Sequence, residues 1–485
     1  MNNLCNRIVL AVFAFFLVEA ILSVPELSWE LALSRTGLAG WLFAVVVSFI
    51  ACILLFLLRN KITQFLKNLG ARAASISTSL WLSGCFVGGI ILRLLWRISY
   101  PAPLRSDYAT YFGLAKELIE SHKYGSTGAG LAFWPPGYPF FLYSLFFVFG
   151  EHPWIPFLAN SLLFAVGLAS VYWLSRLVAG EPVARIATLI LVFWPAYIMS
   201  AGIASKEMLV LCLIPLCLYS YFRAVLASSA PSRIAWLIFT GALIGMMGLT
   251  QPSLMLFPSV LLGYEILRFV SPVRAVFRLA LVAVVAILVI VPWTYRNHRV
   301  LGSWVPVSTN GGDVFYRANN DKATGAFTEG GAYSLEQMDE VSRSKLGYEL
   351  GKDWIRSHPG PFLQLALRKQ VLFLGDDATG AYESLKRGLG IGGIRYFAWK
   401  GISNLYWWGV CLLMALGLLS NWRGALAAKP EVSTLYLAIL YLYAMHSVFE
   451  SGGKYHIPLI GVFSAVAALG AFQSAPDQKE IKPAK

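Results

Sequence analysis

The sequence predicts an all-α polytopic membrane protein, and three observations predict it. Of 485 residues 57% are hydrophobic and only 13% charged, where soluble domains carry about 25% charged residues, and the mean hydropathy is +0.64. Apolar runs of roughly 17–25 residues, long enough to cross a hydrocarbon core, recur along nearly the whole chain. Short charged loops separate them, and backbone polarity in lipid then dictates helices.

Taken in order, spanning helices are predicted near 8–24, 38–58, 78–97, 153–175, 186–203, 207–225, 234–250, 253–270, 279–292, 401–420, 433–449 and 456–473. The first run, Ile8 to Val24, lacks a small-x-small cleavage pattern and is soon followed by another apolar run, so it reads as an anchor rather than a removed signal. The segment "PPGYPFFLYSLFFVFG", Pro135 to Gly150, is short and bounded by proline at its start. It reads as a re-entrant or interfacial helix, leaving a bundle of about 12–13 helices with outer-side juxtamembrane helices.

The basic residues set the orientation. Arg59, Lys61, Lys67, Arg72, Arg176, Arg185, Arg223, Arg233, Arg268, Arg274, Arg278, Arg423, Lys429 and the tail "KEIKPAK" all fall on one side if both termini are cytoplasmic. The net charge of +14 therefore reports topology, with a secondary hold on anionic lipid, rather than a nucleic-acid partner. Of six cysteines, Cys5 precedes the first apolar run and the other five lie inside apolar segments. None has metal-ligand spacing in a loop, which argues against disulfides and zinc.

The chain so divides into N-terminal helices (1–77), a transmembrane core (78–292) with a first outer loop at 98–154, an extracytoplasmic segment with interfacial helices (293–400), C-terminal membrane helices (401–473) and a cytoplasmic tail (474–485). Only the 293–400 segment is polar enough to fold outside the bilayer, through Gly/Asn-rich stretches followed by an amphipathic helical run.

Chemistry-bearing residues cluster on the outer side. In "RSDYATYFGLAKEL" the residues Tyr108, Tyr111, Phe112, Ala115, Leu118 and Ile119 recur at helical spacing, describing an interfacial helix. Ser106 or Asp107 stands at its start, where either side chain can cap orphan amides; Asp107 is equally able to act as general base toward a hydroxyl or amine. "WPPGYP" is an aromatic interfacial turn or a rigid wall for that loop. "GIASKEMLV" puts Lys206 and Glu207 at an outer turn, and "MMGLTQPSL" puts Gln251 at an outer helix end. Arg296, His298 and Arg299 form a cationic cluster against the orientation rule, and Lys454 with His456 repeats it in "FESGGKYHIPLIGVF". Two such turns on one face fit a phosphate, the other reading being side chains that snorkel to lipid headgroups. Asp376-Asp377, the adjacent acidic pair, reads as a solvated turn, so no carboxylate cluster demands a divalent metal, although one is allowed.

Asp107-Tyr108-x-x-Tyr111-x-x-x-Ala115, Pro135-Pro136-Gly137-Tyr138-Pro139, Ser205-Lys206-Glu207, Leu249-Thr250-Gln251-Pro252, Pro292-Trp293-Thr294-Tyr295-Arg296-Asn297 with Ser308-Thr309-Asn310-Gly311-Gly312, and Lys454-Tyr455-His456-Ile457-Pro458 follow one another in that order. This succession, over about residues 78–473, resembles the GT-C glycosyltransferases, in particular bacterial members similar to protein O-mannosyltransferases and the aminoarabinose transferase of lipid A. The resemblance implies a GT-C-like bundle in the bacterial inner membrane. It implies an enzyme that takes a sugar from a polyprenyl-phosphate donor and passes it, with inversion, to an extracytoplasmic lipid, polysaccharide or protein. Asp107 holds the family's catalytic position; Arg296, Lys206, Lys454 and His456 are then the candidates to bind donor phosphate, with Tyr111, Tyr138, Glu207, Gln251, Asn310 and Arg317 in support. Departures are informative. Gln251 stands where the family commonly has Arg, Ala318-Asn319 where it often has Gly-Asn, and Lys454 where Arg is usual, so a phosphate contact is lost or supplied by Arg317. A lipid-linked sugar flippase would instead need charges along a mid-membrane path, whereas Glu19 and Arg93 are the exceptions to a pattern of charges at helix ends. An O-antigen ligase or polymerase shares the substrate class but would centre on another outer loop.

Overall fold

A computed structural model of the protein describes residues 2–23, 37–126, 128, 130–328, 335, 337–423 and 429–473; the predicted cytoplasmic tail lies outside them. Every element among the described residues is helical. Among the described residues eight helices are long and apolar enough to cross a membrane, and the chain is a multi-pass membrane protein.

Helices α1 (Asn2–Leu22), α2 (Gly37–Ala73) and α3 (Thr78–Ser99) open the chain. The second runs well past the predicted 38–58, because Arg59, Lys61, Lys67 and Arg72 sit on its continuation; Arg and Lys are good helix formers, and nothing between Arg59 and Arg72 breaks the turn. Phe56, Leu57, Leu80 and Leu95 point outward from α2 and α3, the surface expected of helices that face lipid.

Next come α4 (Ser106–Ser121), α5 (Gly137–Phe149), α6 (Ile155–Ala179) and α7 (Glu181–Val192). Thirteen residues in α5 rise only about 20 Å, short of a bilayer core. The predicted span 186–203 is not one helix: α7 stops before Trp194, and Pro195 starts the short α8 (Pro195–Met199), since a proline cannot donate within a helix and pushes its predecessor out of the helical region. Proline divides 253–270 in the same way, into a 3-10 turn Pro252–Leu256 and, after α9 (Lys206–Leu226) and α10 (Ala230–Thr250), the helix α11 (Pro258–Leu267).

Helix α12 (Pro272–Leu301) overruns its predicted end at 292 and carries Arg296, His298 and Arg299 on its last turns. Helices α13 (Asn310–Ala318), α14 (Glu340–Ser357) and α15 (Pro359–Gly375) follow, then a π-helical turn at Tyr382–Leu389. The chain returns through α16 (Gly393–Arg423) and α17 (Pro430–Val448), then a 3-10 turn Gly453–Leu459 that leads into α18 (Ile460–Gln473).

Helices α9 and α18 run through the middle, buried on nearly all sides. At the crossing of α16 and α18 a Cβ on Gly470 would stand 1.7 Å from the Leu413 carbonyl oxygen. Only glycine lets the two backbones approach so closely, the small-residue packing that replaces the hydrophobic drive between membrane helices. The intramembrane Glu19 of α1 accepts a hydrogen bond from Tyr443 of α17, and Ser433 donates to Asn6 at 2.6 Å, so α1 is docked on the C-terminal helices.

Candidate active site

Asp107 enters on an unusual backbone. Ser106 has φ +50°, a left-handed conformation that costs a non-glycine residue roughly 1–2 kcal/mol and marks places where the surroundings impose it. The N-cap of α4 is Arg105, and it makes no side-chain capping bond. The expectation that Ser106 or Asp107 caps this helix is therefore corrected: the Asp107 carboxylate stands in the first turn, favoured by the helix dipole, but turns to Lys454, whose Nζ donates to Oδ2 at 3.0 Å. Ser106 Oγ donates weakly to Oδ1 at 3.4 Å.

Helical periodicity supports this from below. Tyr108, Tyr111, Phe112 and Ala115 are buried as one face of α4. Tyr111 packs edge-on against Trp134 at 5.5 Å and Tyr138 at 5.7 Å, so the "WPPGYP" stretch does form a wall behind the carboxylate. The Tyr111 and Tyr138 hydroxyls are buried without a hydrogen-bond partner among the described residues.

Lys454 is the meeting point of three chain segments. Its ammonium is 3.0 Å from Asp107, 3.7 Å from Glu207 Oε1 at the start of α9, and 5.3 Å above the Tyr108 ring. Glu207 is buried and its Oε2 accepts from Ser205 Oγ at 2.5 Å. Lys206, beside it, acts electrostatically on Asp107, and among the described residues it has no carboxylate within ion-pair distance. Burial alone would raise the Asp107 carboxyl; the charge and hydrogen bond of Lys454, helped by Lys206 and Ser106, hold it below its ordinary value. Asp107 is thus ionised at neutral pH.

Glu383, unmarked by any sequence motif, is a third acid near this group. It sits on the π-helical turn, paired with Arg387 at 3.1 Å, and burial raises its carboxyl despite Arg387 and Lys454. The turn is tied to the loop before Asp107 by Arg105 Nη1 donating to the Arg387 carbonyl at 3.3 Å. Single-turn π insertions gather at functional sites, but no periodicity in "YESLKRGL" reveals one.

The remaining candidates have other neighbours. Arg296 donates to the carbonyls of Tyr124, at 2.8 Å, and Leu131, and lies 4.7 Å over the Trp293 ring. Glu340 holds the same loop from the other direction, accepting from Leu131 N at 2.9 Å, Ala132 N at 3.0 Å and Thr309 Oγ1 at 2.8 Å. Asn297 and Trp293 bond the backbone at Val305 and Val307, and Asn310 Oδ1 accepts from Ser308 Oγ at 2.8 Å. The Pro-Trp and Ser-Thr-Asn-Gly-Gly motifs therefore build scaffold. His298 stacks on Trp304 at 4.1 Å. Gln251 donates to Ser253 Oγ at 3.1 Å. Arg317 bridges Asp313 at 2.8 Å and Glu450 at 2.9 Å, bracing the turn before Lys454 rather than touching Asp107.

His456 is fully buried behind Lys454, its Nε2 2.8 Å from Asp377 Oδ1 and its Nδ1 2.5 Å from the Phe373 carbonyl. The reading of Asp376-Asp377 as a solvated turn is corrected: Asp377 is 1% exposed and also accepts from Trp194 Nε1 at 2.7 Å, while Asp376 pairs with Lys400 at 3.1 Å. Among the described residues no three His, Cys, Asp or Glu side chains are grouped to hold a metal ion.

Comparison with known proteins adds a partial likeness. Residues 134–295, from the aromatic wall to the Pro-Trp motif, match the family model described as dolichyl-phosphate-mannose-protein mannosyltransferase. The match covers about a third of the chain. The matched stretch contains Lys206 and Glu207 but neither Asp107 nor Lys454. Among solved structures, the oligosaccharyltransferase of Archaeoglobus fulgidus aligns with 12% identity and a TM-score of 0.47, over 80% of this chain and 50% of that one. ArnT from Cupriavidus metallidurans, bound to undecaprenyl phosphate, aligns with 15% identity and a TM-score of 0.43, over 81% of this chain and 77% of that one. This chain thus spans about half the length of the archaeal enzyme. No curated protein matches it.

Proposed function

We propose that this protein is a GT-C glycosyltransferase that moves a hexosyl or pentosyl group from a polyprenyl-phosphate carrier to a hydroxyl of an extracytoplasmic lipid, polysaccharide or protein, with inversion, at the outer face of a bacterial plasma membrane. The observation that carries the reading is the Lys454 ammonium lying 3.0 Å from Asp107 and 3.7 Å from Glu207. An ammonium beside a carboxylate supports a base and a phosphate ligand acting side by side, as displacement of a phosphate diester requires. The family description, which names a lipid-phosphate sugar as donor, supports the same chemistry.

The residues then divide the work. Donor phosphate brings negative charge to Lys454 and Lys206, and Lys454 turns from the carboxylate toward it. Asp107, relieved of its ion pair, becomes a stronger base when an acceptor is in place. It takes the acceptor proton while the acceptor oxygen bonds to the anomeric carbon and the bond from that carbon to the phosphate oxygen breaks. The two lysines hold the charge left on polyprenyl phosphate, which needs little acid help to leave. Glu207 keeps Lys454 in reach throughout. Arg296 belongs to this scheme as the clamp of the 124–131 loop, and His456 as a support under Lys454.

Asp107→Asn is expected to abolish transfer while the protein stays folded and membrane-inserted. Full activity of that variant in vesicles supplied with polyprenyl-phosphate sugar would overturn the assignment.

A further inference from the structure

The turn that carries Lys454 touches one loop on both sides of the lysine. On one side, Gly453 is packed so tightly on the Asp376 carbonyl that a Cβ there would stand 2.0 Å from its oxygen. On the other side, His456 bonds Asp377 at 2.8 Å, and both residues are wholly buried. Asp377 is itself fixed by elements far apart in sequence. Trp194 Nε1 donates to its carboxylate at 2.7 Å, its backbone N–H donates to Asn404 Oδ1 at 3.0 Å, and its carbonyl accepts from Ser403 Oγ at 2.5 Å. Both ring nitrogens of His456 face acceptors, the Phe373 carbonyl and the Asp377 carboxylate. A neutral imidazole has one N–H, so the pair as a unit carries one additional proton, on the ring or on the carboxyl. The ring also stacks on Trp407 at 5.1 Å.

We propose that Asp377 is a positioning residue for the donor site: through His456, and with Gly453 seated on the carbonyl of the neighbouring Asp376, it fixes the turn that delivers the Lys454 ammonium to Asp107. This rests on the reading of Lys454 as a ligand of donor phosphate. A lysine stem has four rotatable carbons, and its ammonium finds a particular carboxylate only if the backbone beneath it cannot drift. Here the seat is dry and bonded on every polar atom of the aspartate, whereas Lys454 itself touches nothing on that side.

The test is binding of undecaprenyl phosphate to the full-length protein in nanodiscs. His456→Phe keeps the ring volume and the stack on Trp407 while removing both bonds. It is expected to raise Kd about tenfold and to add nothing in a Lys454→Met background, because its effect passes through the lysine. Asp377→Asn is expected to bind within about twofold of the unaltered protein. Its amide can donate to an unprotonated Nε2 and accept from Trp194, leaving Nδ1–H for the Phe373 carbonyl. Should His456→Phe fail to fold, Gly453→Ala displaces the other side of the turn and is expected to show the same loss and the same non-additivity. Unaltered affinity in a folded His456→Phe or Gly453→Ala variant, or losses that add to those of Lys454→Met, would overturn the positioning role. Unaltered affinity in Lys454→Met alone would instead remove the reading of Lys454 on which it rests.

Discussion

Among single residues, Lys454 sets how Asp107 titrates. A carboxyl held below its ordinary value of 3.8 contributes stability that is present above the unfolded value and lost as pH falls through the lowered one. The Asp107–Lys454 pair therefore holds through the neutral range and fails only in acid, below about pH 4. Catalysis should show the other half of this coupling. The acid limb of kcat/KM reports the free enzyme, in which Lys454 depresses Asp107; the limb of kcat reports the loaded enzyme, in which phosphate shares the lysine. The kcat limb is thus expected at higher pH, and a pH–rate series placing it at or below the kcat/KM limb would refute the shared lysine. Asp107, Lys206, Glu207 and Lys454 were all legible in the sequence as charges at helix ends on one face, where burying them is inexpensive. Glu383 was not, because a lone glutamate in a short helical turn has no periodic signature. Asp377 was misread because adjacent acids are usually solvated, and only the approach of Trp194 and His456 makes a dry site for one of them.

Among elements, the loop from Tyr124 to Trp134 is gripped from two helices. Arg296 of α12 takes its carbonyls and Glu340 of α14 takes its amides. Charged groups bonded to backbone contribute about 1.5–3 kcal/mol each. Arg296→Ala is accordingly expected to expose this loop to limited proteolysis and lower the melting temperature, with Glu340→Ala doing the same. An unchanged cleavage pattern in both variants would show that the loop is held by something else. The sequence marked Arg296 as a cation displaced to the outer side of the membrane and assigned the cause to phosphate. The helix α12, longer than its apolar run, carries the guanidinium to backbone carbonyls instead. Helix ends were hard to read for a related physical reason: Arg and Lys extend a helix as well as leucine does, so hydropathy finds the buried length and not the helical one.

For the whole molecule, orientation is the testable property. Reporter fusions after Arg72 and after Arg233 are expected to report the cytoplasm, and a fusion within α14 the opposite side; the same answer from all three would contradict the orientation and, with it, an extracytoplasmic acceptor. Helix α1 is joined to the bundle by polar contacts: it reaches α17 through Glu19 and Asn6, and in lipid such contacts between helices are among the few available attractions.

Composition and apolar period alone determined that this chain crosses a membrane repeatedly as helices, because no other backbone arrangement survives in hydrocarbon. They also determined which charged turns gather on one face. Tertiary structure decided the rest: that Lys454, nearly the whole core away along the chain, is the partner of Asp107, that Arg296 grips a loop, and that His456 and Asp377 lie buried beneath the lysine. Hydropathy constrains each helix against lipid one at a time, whereas a contact between side chains depends on where several helices cross, and that is settled by packing.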